Sequence, residues 1–183
     1  MTVPNVLTLI RIALIPLFWI LETSEASEAR WAALFVFILA SVTDYIDGRI
    51  ARKTGKITSF GKIMDPLADK LLVISALMIF VGAGRTSPVA AMLVVARELA
   101  VTSLRVVAIS EGKLMAAARS GKWKTASQFF YIIFMLLHVE SMAFIPSPLL
   151  LEQIAQWIVA AITLWSGADY FYKNRDIIKA TAS

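Results

Sequence analysis

Two stretches of this chain decide how it folds: Asp44-Tyr45-Ile46-Asp47-Gly48-Arg49-Ile50-Ala51-Arg52 and Gly61-Lys62-Ile63-Met64-Asp65-Pro66-Leu67-Ala68-Asp69. They place four aspartates between and inside strongly apolar segments. Carboxylates next to lipid are tolerated only where they face a polar cavity and something positive neutralises them. The pattern therefore predicts that the neighbouring apolar segments are helices that enclose a polar, charged site.

Each pair of aspartates has the spacing of one helix face. Asp44 and Asp47 are three residues apart, and Asp65 and Asp69 are four apart. Two adjacent helices can thus present four carboxylates to one point, with room for two cations about 3.5–4 Å apart. Hard oxygen ligands in this number suit Mg²⁺ or Mn²⁺. Acidic groups also select cations in pores, so a divalent-cation transporter is the alternative from a different class.

Small and basic residues flank the aspartates. Gly48 and Gly61 allow a ligand to approach the backbone closely. Arg52 follows Asp44 by eight residues and is well placed for a phosphate or pyrophosphate. The alternative is that the aspartates are surface carboxylates solvated at helix ends, but that interpretation explains neither the glycines nor the arginine.

The composition indicates an integral membrane protein of one domain, residues 1–183. Of its residues 58% are hydrophobic, whereas soluble domains are nearer about 45–50%. The absence of cysteine excludes a disulfide, a thiolate metal site and a cysteine nucleophile. Polar residues interrupt the first apolar run, so we expect a membrane helix there rather than a cleaved signal peptide. The net charge of +5 fits anionic headgroups and membrane topology better than nucleic acid.

Six apolar segments are long enough to span a bilayer, which takes about 20 residues per helix. They cover residues 4–22, 30–50, 62–82, 88–110, 121–140 and 149–172. Lysine and arginine are concentrated after the second, fourth and sixth segments, which predicts that both termini and the aspartates are cytoplasmic. We therefore predict an all-α polytopic membrane protein with six transmembrane helices and its active site at the cytoplasmic face of the cell inner membrane.

The two stretches resemble the signature of a known enzyme family. The pattern Asp-x-x-Asp-Gly-x-x-Ala-Arg, then eight residues, then Gly-x-x-x-Asp-x-x-x-Asp is similar to that of the CDP-alcohol phosphotransferases, and every defined position from Asp44 to Asp69 is present. Six membrane helices in this length are also the family's plan. The resemblance implies that a hydroxyl attacks the lipid-side phosphate of a CDP-linked donor and expels CMP.

The resemblance also implies roles for the matching residues. Asp44, Asp47 and Asp65 are expected to bind two Mg²⁺ or Mn²⁺ ions, while Asp69 is the base and contacts the second metal. The residues expected to bind the CDP group are Asn5, Asp47, Gly48, Ala51, Arg52 and Gly61. The family also suggests a homodimer among membrane lipids.

The first apolar segment carries a further resemblance. Asn5, Thr8 and Arg11 are similar to the family's amino-terminal Asn-x-x-Thr-x-x-Arg pattern, and their spacing places them near one helical face. Arginine within an apolar helix is a functional candidate. The alternative is that Arg11 snorkels to the lipid headgroups.

A second charged group points to an anionic acceptor. Its members are Arg97, Arg105, Lys122 and Lys124, and they are expected at or below the cytoplasmic interface. Arg97 and Arg105 are expected to be buried in the middle of their helix, with Glu98 as an internal counter-ion. Such a pocket suits a phosphate, whereas serine or free inositol would not require it. For the two lysines, ordinary positive-inside charge is the alternative.

The same residues resemble one branch of the family. Arg97-Glu98, Ser103-Leu104-Arg105 and Gly121-Lys122-Trp123-Lys124-Thr125 are similar to the branch that joins CDP-diacylglycerol to sn-glycerol 3-phosphate. Other acceptors, inositol phosphate or phosphatidylglycerol, are the alternatives within the family. Near the end of the chain, Tyr170, Phe171 and Tyr172 with Lys173 and Arg175 are expected to form a cytoplasmic interfacial anchor.

Overall fold

The computed structural model describes residues 3–24, 26–54, 59–110, 119–137, 148–175 and 178, and their side chains except at 3–5, 27, 44–54, 59–66, 69, 109 and 110. These residues form six α-helices and no strand: α1 Val3–Glu22, α2 Ser27–Thr54, α3 Ser59–Gly82, α4 Pro88–Ser110, α5 Arg119–Leu136 and α6 Pro148–Lys173. For these residues the predicted all-α class is confirmed, and each predicted segment corresponds to one helix; the end of the fifth segment, 138–140, lies outside the described residues.

Local sequence explains several helix boundaries. α4 and α6 begin at Pro88 and Pro148, where a missing N–H and a fixed φ suit the first helical position. The backbone N–H of Ala91 donates to the carbonyl of Ser87 at 3.0 Å, which closes the first turn of α4. Between α3 and α4, Gly84 has a φ of 70°, a left-handed conformation that glycine adopts without steric cost. Gly84 therefore lies in the turn that joins α3 to α4.

One compact unit, called the first unit, contains α1, α2, α3 and the end of α5 from Ile132. In it α1 packs against both α2 and α3, and α2 contacts α3. The rings of Phe18 in α1 and Phe37 in α2 lie with their centroids 5.9 Å apart. The buried apolar residues of its first three helices are Phe18, Ala33, Val36, Phe37, Ala40, Ala68, Leu72, Ala76, Leu77 and Phe80. Their recurrence every three or four residues is that of one packed face per helix.

The other compact unit, called the second unit, contains α4, α5 as far as Tyr131, and α6. In it α4 packs against α6. The buried residues of α6 are unusually polar for a packed helix: Glu152, Gln156, Val159, Ala160, Thr163, Ser166, Gly167 and Tyr170. Because buried polar groups need hydrogen-bond partners, this face is where specific contacts to the other two helices are expected.

The outer surface of the helices is strongly apolar. Trp19, Trp31, Phe35 and Phe130 have exposed fractions of 60%, 64%, 66% and 69%, and large exposed apolar patches mark surfaces that contact lipid or protein. Within the part of the chain that the structure describes, α6 is the helix long and apolar enough to cross a membrane, and 70–82 is a shorter apolar segment. Six transmembrane spans and cytoplasmic termini stay predictions.

Candidate functional site

The backbone of the four aspartates lies on α2 and α3 of the first unit. Asp44 and Asp47 are in the second half of α2, and Asp65 and Asp69 are in the first half of α3. The structure thus places the two pairs on consecutive helices that contact each other.

Most of the predicted metal and CDP ligands have side chains outside the described set. This applies to the four aspartates and to Asn5, Gly48, Ala51, Arg52 and Gly61. Among the side chains that are described, no group of three or more histidine, cysteine, aspartate or glutamate residues lies together. The metal and CDP assignments therefore stay predictions.

Arg11 is fully buried in the first unit. Its exposed fraction is 0%, as is that of Thr8, three residues earlier on the same face of α1. The Nε of Arg11 donates a hydrogen bond to the carbonyl oxygen of Ala40 in α2 at 3.3 Å. A guanidinium with no exposed surface does not snorkel to lipid headgroups, so that alternative is wrong. Because Ala40 is one helical turn before Asp44, Arg11 lies close to the part of α2 that carries the aspartates.

Arg97, Glu98 and Lys124 form a buried ion cluster in the second unit, hereafter the cation cluster. Lys124 Nζ is ion-paired with Glu98 Oε1, and Arg97 Nη1 lies 3.6 Å from the same oxygen. The exposed fractions of the three side chains are 9% for Arg97, 8% for Glu98 and 11% for Lys124. The predicted role of Glu98 as an internal counter-ion is confirmed. Among the described residues, two cations share one carboxylate, which gives this group a surplus positive charge.

Polar side chains from α5 and α6 support the cation cluster. Gln128 Nε2 donates to Glu98 Oε1 and to Thr163 Oγ1, at 3.4 Å each. Arg97 Nη2 donates to Ser166 Oγ at 2.8 Å. The Nε of Arg97 is buried and has no hydrogen-bond acceptor among the described residues. Since an unsatisfied buried donor is costly, this N–H favours an anionic oxygen beside it.

Arg105 and Lys122 are exposed and do not join the cation cluster. The prediction that Arg105 is buried is wrong: it shares a face of α4 with the buried Val101 and Ala108, but its long side chain carries the charge to the surface. The guanidinium lies 5.9 Å from the ring centroid of Tyr170, within reach of a cation–π attraction.

The predicted interfacial anchor at the end of α6 divides into two environments. Tyr170 is only 3% exposed, so its assignment to the anchor is wrong. Tyr172 is 69% exposed, and the guanidinium of Arg175 lies 4.9 Å from its ring centroid. The reason is helical geometry, because residues two apart face different directions.

Asp169 joins the start of α5 to the end of α6. Its Oδ2 accepts from Ser120 Oγ at 2.5 Å, and its Oδ1 lies 2.8 Å from Lys173 Nζ. Ser120 precedes Lys124 by one helical turn, so this contact fixes the end of α5 that carries both predicted lysines.

Sequence reasoning missed the supporting residues of the second unit. Gln128, Thr163, Ser166 and Asp169 were not singled out, although the last three lie three residues apart in an apolar helix. That spacing of small polar side chains was the available signal, since it places a polar stripe on the face of α6 that packs against α4.

A separate polar group lies at the beginning of α6, within the second unit. Arg85 and Glu152 form an ion pair whose side chains are 13% and 1% exposed. The hydroxyl oxygens of Thr86 and Tyr131 lie 2.6 Å apart, and the backbone N–H of Ser87 donates to a side-chain oxygen of α6. As the described residues have it, one cation meets one carboxylate here, so the two charges of this pair, hereafter the Arg85–Glu152 pair, balance each other.

Comparison with known proteins identifies a family and several relatives. The CDP-alcohol phosphatidyltransferase family matches residues 1–165 of the chain. A relative from Bacillus subtilis (strain 168), named CDP-diacylglycerol–glycerol-3-phosphate 3-phosphatidyltransferase, is 40% identical over 97% of each chain. Proteins of the same name are 36% identical in Rickettsia typhi, over 92% of this chain and 94% of the relative, and 32% identical in Haemophilus influenzae, over 92% and 90%.

Proposed function

The chain belongs to the CDP-alcohol phosphatidyltransferase family, and we propose that it transfers the phosphatidyl group of CDP-diacylglycerol to sn-glycerol 3-phosphate. The products are phosphatidylglycerol phosphate and CMP. The observation that carries the acceptor assignment is the cation cluster, because a buried surplus of positive charge with a donor left over suits a phosphate. The names of the relatives support the same acceptor.

The proposed reaction is a substitution at phosphorus. A hydroxyl oxygen of glycerol 3-phosphate forms a bond to the phosphorus next to diacylglycerol, and the bond from that phosphorus to CMP breaks. CMP leaves with the electron pair, and the hydroxyl proton passes to Asp69 as the base. A carboxylate is a weak base for an alcohol, so positioning of the reactants must supply much of the rate.

We propose that Asp44, Asp47, Asp65 and Asp69 hold two divalent cations, Mg²⁺ or Mn²⁺. Bound there, the ions would supply charge neutralisation for the pyrophosphate and stabilisation of the departing CMP. The donor set fits such ions, because hard cations prefer carboxylate oxygens.

Helical register supports a shared location for these aspartates. In α2, Ala33, Phe37 and Ala40 are buried at spacings of four and three residues, and positions 44 and 47 continue that series. In α3, Leu72 and Ala76 are buried, and positions 65 and 69 precede them at the same spacings. A regular helix would therefore carry all four positions along the faces that pack within the first unit.

We propose that the cytidine nucleotide binds beside the aspartates. The residues proposed to contact the CDP group, besides Asp47, are Asn5, Gly48, Ala51, Arg52 and Gly61. Arg11 and Thr8 are proposed to fix α1 against this part of α2, since the buried guanidinium of Arg11 already donates to the Ala40 carbonyl. A buried arginine that donates to the backbone of a neighbouring helix is expected to keep α1 in a fixed position beside the site.

We propose that the acceptor phosphate is bound by Arg97, Arg105, Lys122 and Lys124. The two buried members, Arg97 and Lys124, are expected to form the direct contacts. The two exposed members raise the local positive potential and attract the anionic acceptor. Glu98 keeps the buried cations fixed while leaving their surplus charge to the ligand.

The proposed setting is the cell inner membrane. All six helices are proposed to span it within a single domain, residues 1–183, with both termini and the active site on the cytoplasmic side, and with the protein acting as a homodimer. The exposed apolar surface of the helices and the hydropathy of α6 support a membrane location.

A purified-protein assay tests this function. The protein in detergent is given CDP-diacylglycerol and one acceptor at a time: glycerol 3-phosphate, inositol phosphate, phosphatidylglycerol, free glycerol or serine. We expect CMP release to be fastest with glycerol 3-phosphate and poor with free glycerol. Faster release with inositol phosphate or phosphatidylglycerol would move the assignment to another branch, and absence of any CDP-lipid-dependent release would favour the transporter alternative.

A further inference from the structure

The last turns of α6, Ser166–Lys173, contact residues that lie on or beside the predicted acceptor-binding cations. Ser166 accepts from Arg97, Asp169 accepts from Ser120 at the start of α5, and Tyr170 lies beneath Arg105. This segment follows residue 165, where the match to the family ends. It is therefore outside the part of the chain that the family pattern defines.

We propose that the segment Ser166–Lys173 positions the acceptor-binding cations, and that Gly167 is the positioning residue that sets the course of the Arg97 side chain. The inference rests on the proposed function for the identity of the acceptor. It adds residues that do not touch the substrate but control how tightly the acceptor phosphate is bound.

Gly167 has no space for a side chain because Arg97 occupies it. A Cβ at position 167 would lie 2.9 Å from Cγ of Arg97, 3.7 Å from its Nε and 3.9 Å from its Cδ. The nearest atom, Cγ, is the second carbon of the Arg97 side chain and is less free to move than the guanidinium at its end. The whole side chain beyond Cγ would have to move if alanine replaced this glycine.

The displaced groups are the ones expected to recognise a phosphate. Arg97 Nη2 is held by Ser166 at 2.8 Å, and the buried Nε is the donor with no acceptor among the described residues. Hydrogen bonds weaken steeply when distance and angle depart from their preferred values. A shift at Cγ would therefore misdirect both nitrogens while the charge stays in place.

Two other residues of the segment contact Arg105 itself and Ser120, which is on the same helix as Lys124. Asp169 holds Ser120, one turn before Lys124, at 2.5 Å. The buried ring of Tyr170 gives the exposed Arg105 a surface to rest on, 5.9 Å from the ring centroid. One helix end thus orders cationic residues from both α4 and α5.

A double-mutant cycle on the full-length protein tests the inference. Gly167→Ala is expected to raise the KM for glycerol 3-phosphate about tenfold, the low end for losing one charge-assisted contact. The kcat and the KM for CDP-diacylglycerol should change little. In the Arg97→Ala background there is no stem to displace, so Gly167→Ala should add less than about twofold.

The control is Gly82→Ala, the last residue of α3, where a Cβ would meet nothing within 4 Å. It makes the same chemical change and should leave the KM for glycerol 3-phosphate at its wild-type value. Tyr170→Leu removes the ring that lies 5.9 Å from the Arg105 guanidinium and should raise the same KM.

A second measurement does not depend on turnover. Added glycerol 3-phosphate should raise the Tm of wild type and of Gly82→Ala in detergent, and should raise that of Gly167→Ala much less. Additive effects in the cycle, an equal loss of affinity for both substrates, or equal stabilisation of Gly167→Ala and wild type would each overturn the inference. If no acceptor supports CMP release, the proposed function fails, while the Tm comparison still decides whether Gly167 controls binding of the phosphate.

Discussion

The first unit carries the positions of four aspartates, whereas the second unit holds a cluster in which the described cations outnumber the described carboxylates. The aspartate positions of α2 and α3 in the first unit bring four carboxylates, so their ligand should be cationic. The cation cluster of the second unit brings two cations to one carboxylate, so its ligand should be anionic. In the Arg85–Glu152 pair the two described charges balance, so we expect no charged ligand there. We therefore expect surplus charge, rather than burial of charge alone, to mark the functional positions.

Removal of the metals should have the largest effect. If the aspartates of the first unit are metal ligands, activity should disappear in EDTA and return with Mg²⁺ or Mn²⁺, because four carboxylates cannot otherwise approach a pyrophosphate. Asp44→Asn and Asp65→Asn should lose nearly all turnover while the protein still inserts and folds. Measuring CMP release checks this, and full activity in chelator would show that the first unit has no metal requirement.

Loss of the base should rank second. Asp69→Asn should lower kcat by about 10²–10⁴-fold, the usual contribution of general-base catalysis. Binding of CDP-diacylglycerol should persist, since the other carboxylates remain. Steady-state kinetics together with donor binding separates the two roles: near-normal kcat with weaker donor binding would make Asp69 a ligand alone.

Arg97→Ala should affect the acceptor and spare the donor. A charge-assisted contact contributes roughly 1.5–3 kcal/mol, so the KM for glycerol 3-phosphate should rise about 10- to 150-fold. Arg97→Lys should restore only part of the affinity, because an ammonium cannot reproduce the fork of donors. An unchanged KM for glycerol 3-phosphate would show that the cation cluster does not bind the acceptor.

Arg105→Ala should have a smaller effect of the same kind. Its side chain is exposed, so water screens its charge. We therefore expect the KM for glycerol 3-phosphate to rise about tenfold, the low end of the range given for Arg97→Ala. Free glycerol serves as the control substrate: it should be poor for wild type and lose little further in the variant. An equal loss with both substrates would show that the phosphate is not what Arg105 recognises.

Glu152→Gln should have the smallest effect on catalysis. It breaks the Arg85–Glu152 pair, and loss of one partner of a buried ion pair costs about 3–5 kcal/mol of stability. The Tm should therefore fall clearly, whereas the KM for glycerol 3-phosphate should stay within about twofold of wild type. A large KM effect without loss of Tm would contradict the distinction between balanced and unbalanced clusters.

Short-range patterns in the sequence predicted the helices well. The apolar segments, the prolines at the starts of α4 and α6 and the turn at Gly84 all depend on neighbours within a few residues, so they could be recognised without the fold. The motif from Asp44 to Asp69 could also be recognised from the sequence alone, because each pair of aspartates has the spacing of one helix face. Glu98 was correctly assigned as a counter-ion because it stands next to Arg97 in the chain.

Long-range contacts could not be predicted in the same way. Arg97 meets Ser166 across 69 residues, and Gln128 meets Glu98 across 30. The polar spacing that includes Ser166 does not show which residue it contacts, and nothing in the local sequence distinguishes Gly167 from other small residues on an apolar helix. The burial of Arg11 and the exposure of Arg105 had the same cause: both are arginines in apolar helices, and only packing decides which guanidinium reaches water.

The sequence by itself determined the family, the helical class and the positions that carry the aspartates. These depend on composition and spacing, which are properties of the chain before it folds. Only the tertiary structure decided which polar residues meet inside the second unit, which of the four predicted cations are buried there, and why position 167 is a glycine. The physical reason is that a hydrogen bond or a steric contact between helices is set by how the helices are rotated against each other, and the packing of the whole face fixes that rotation.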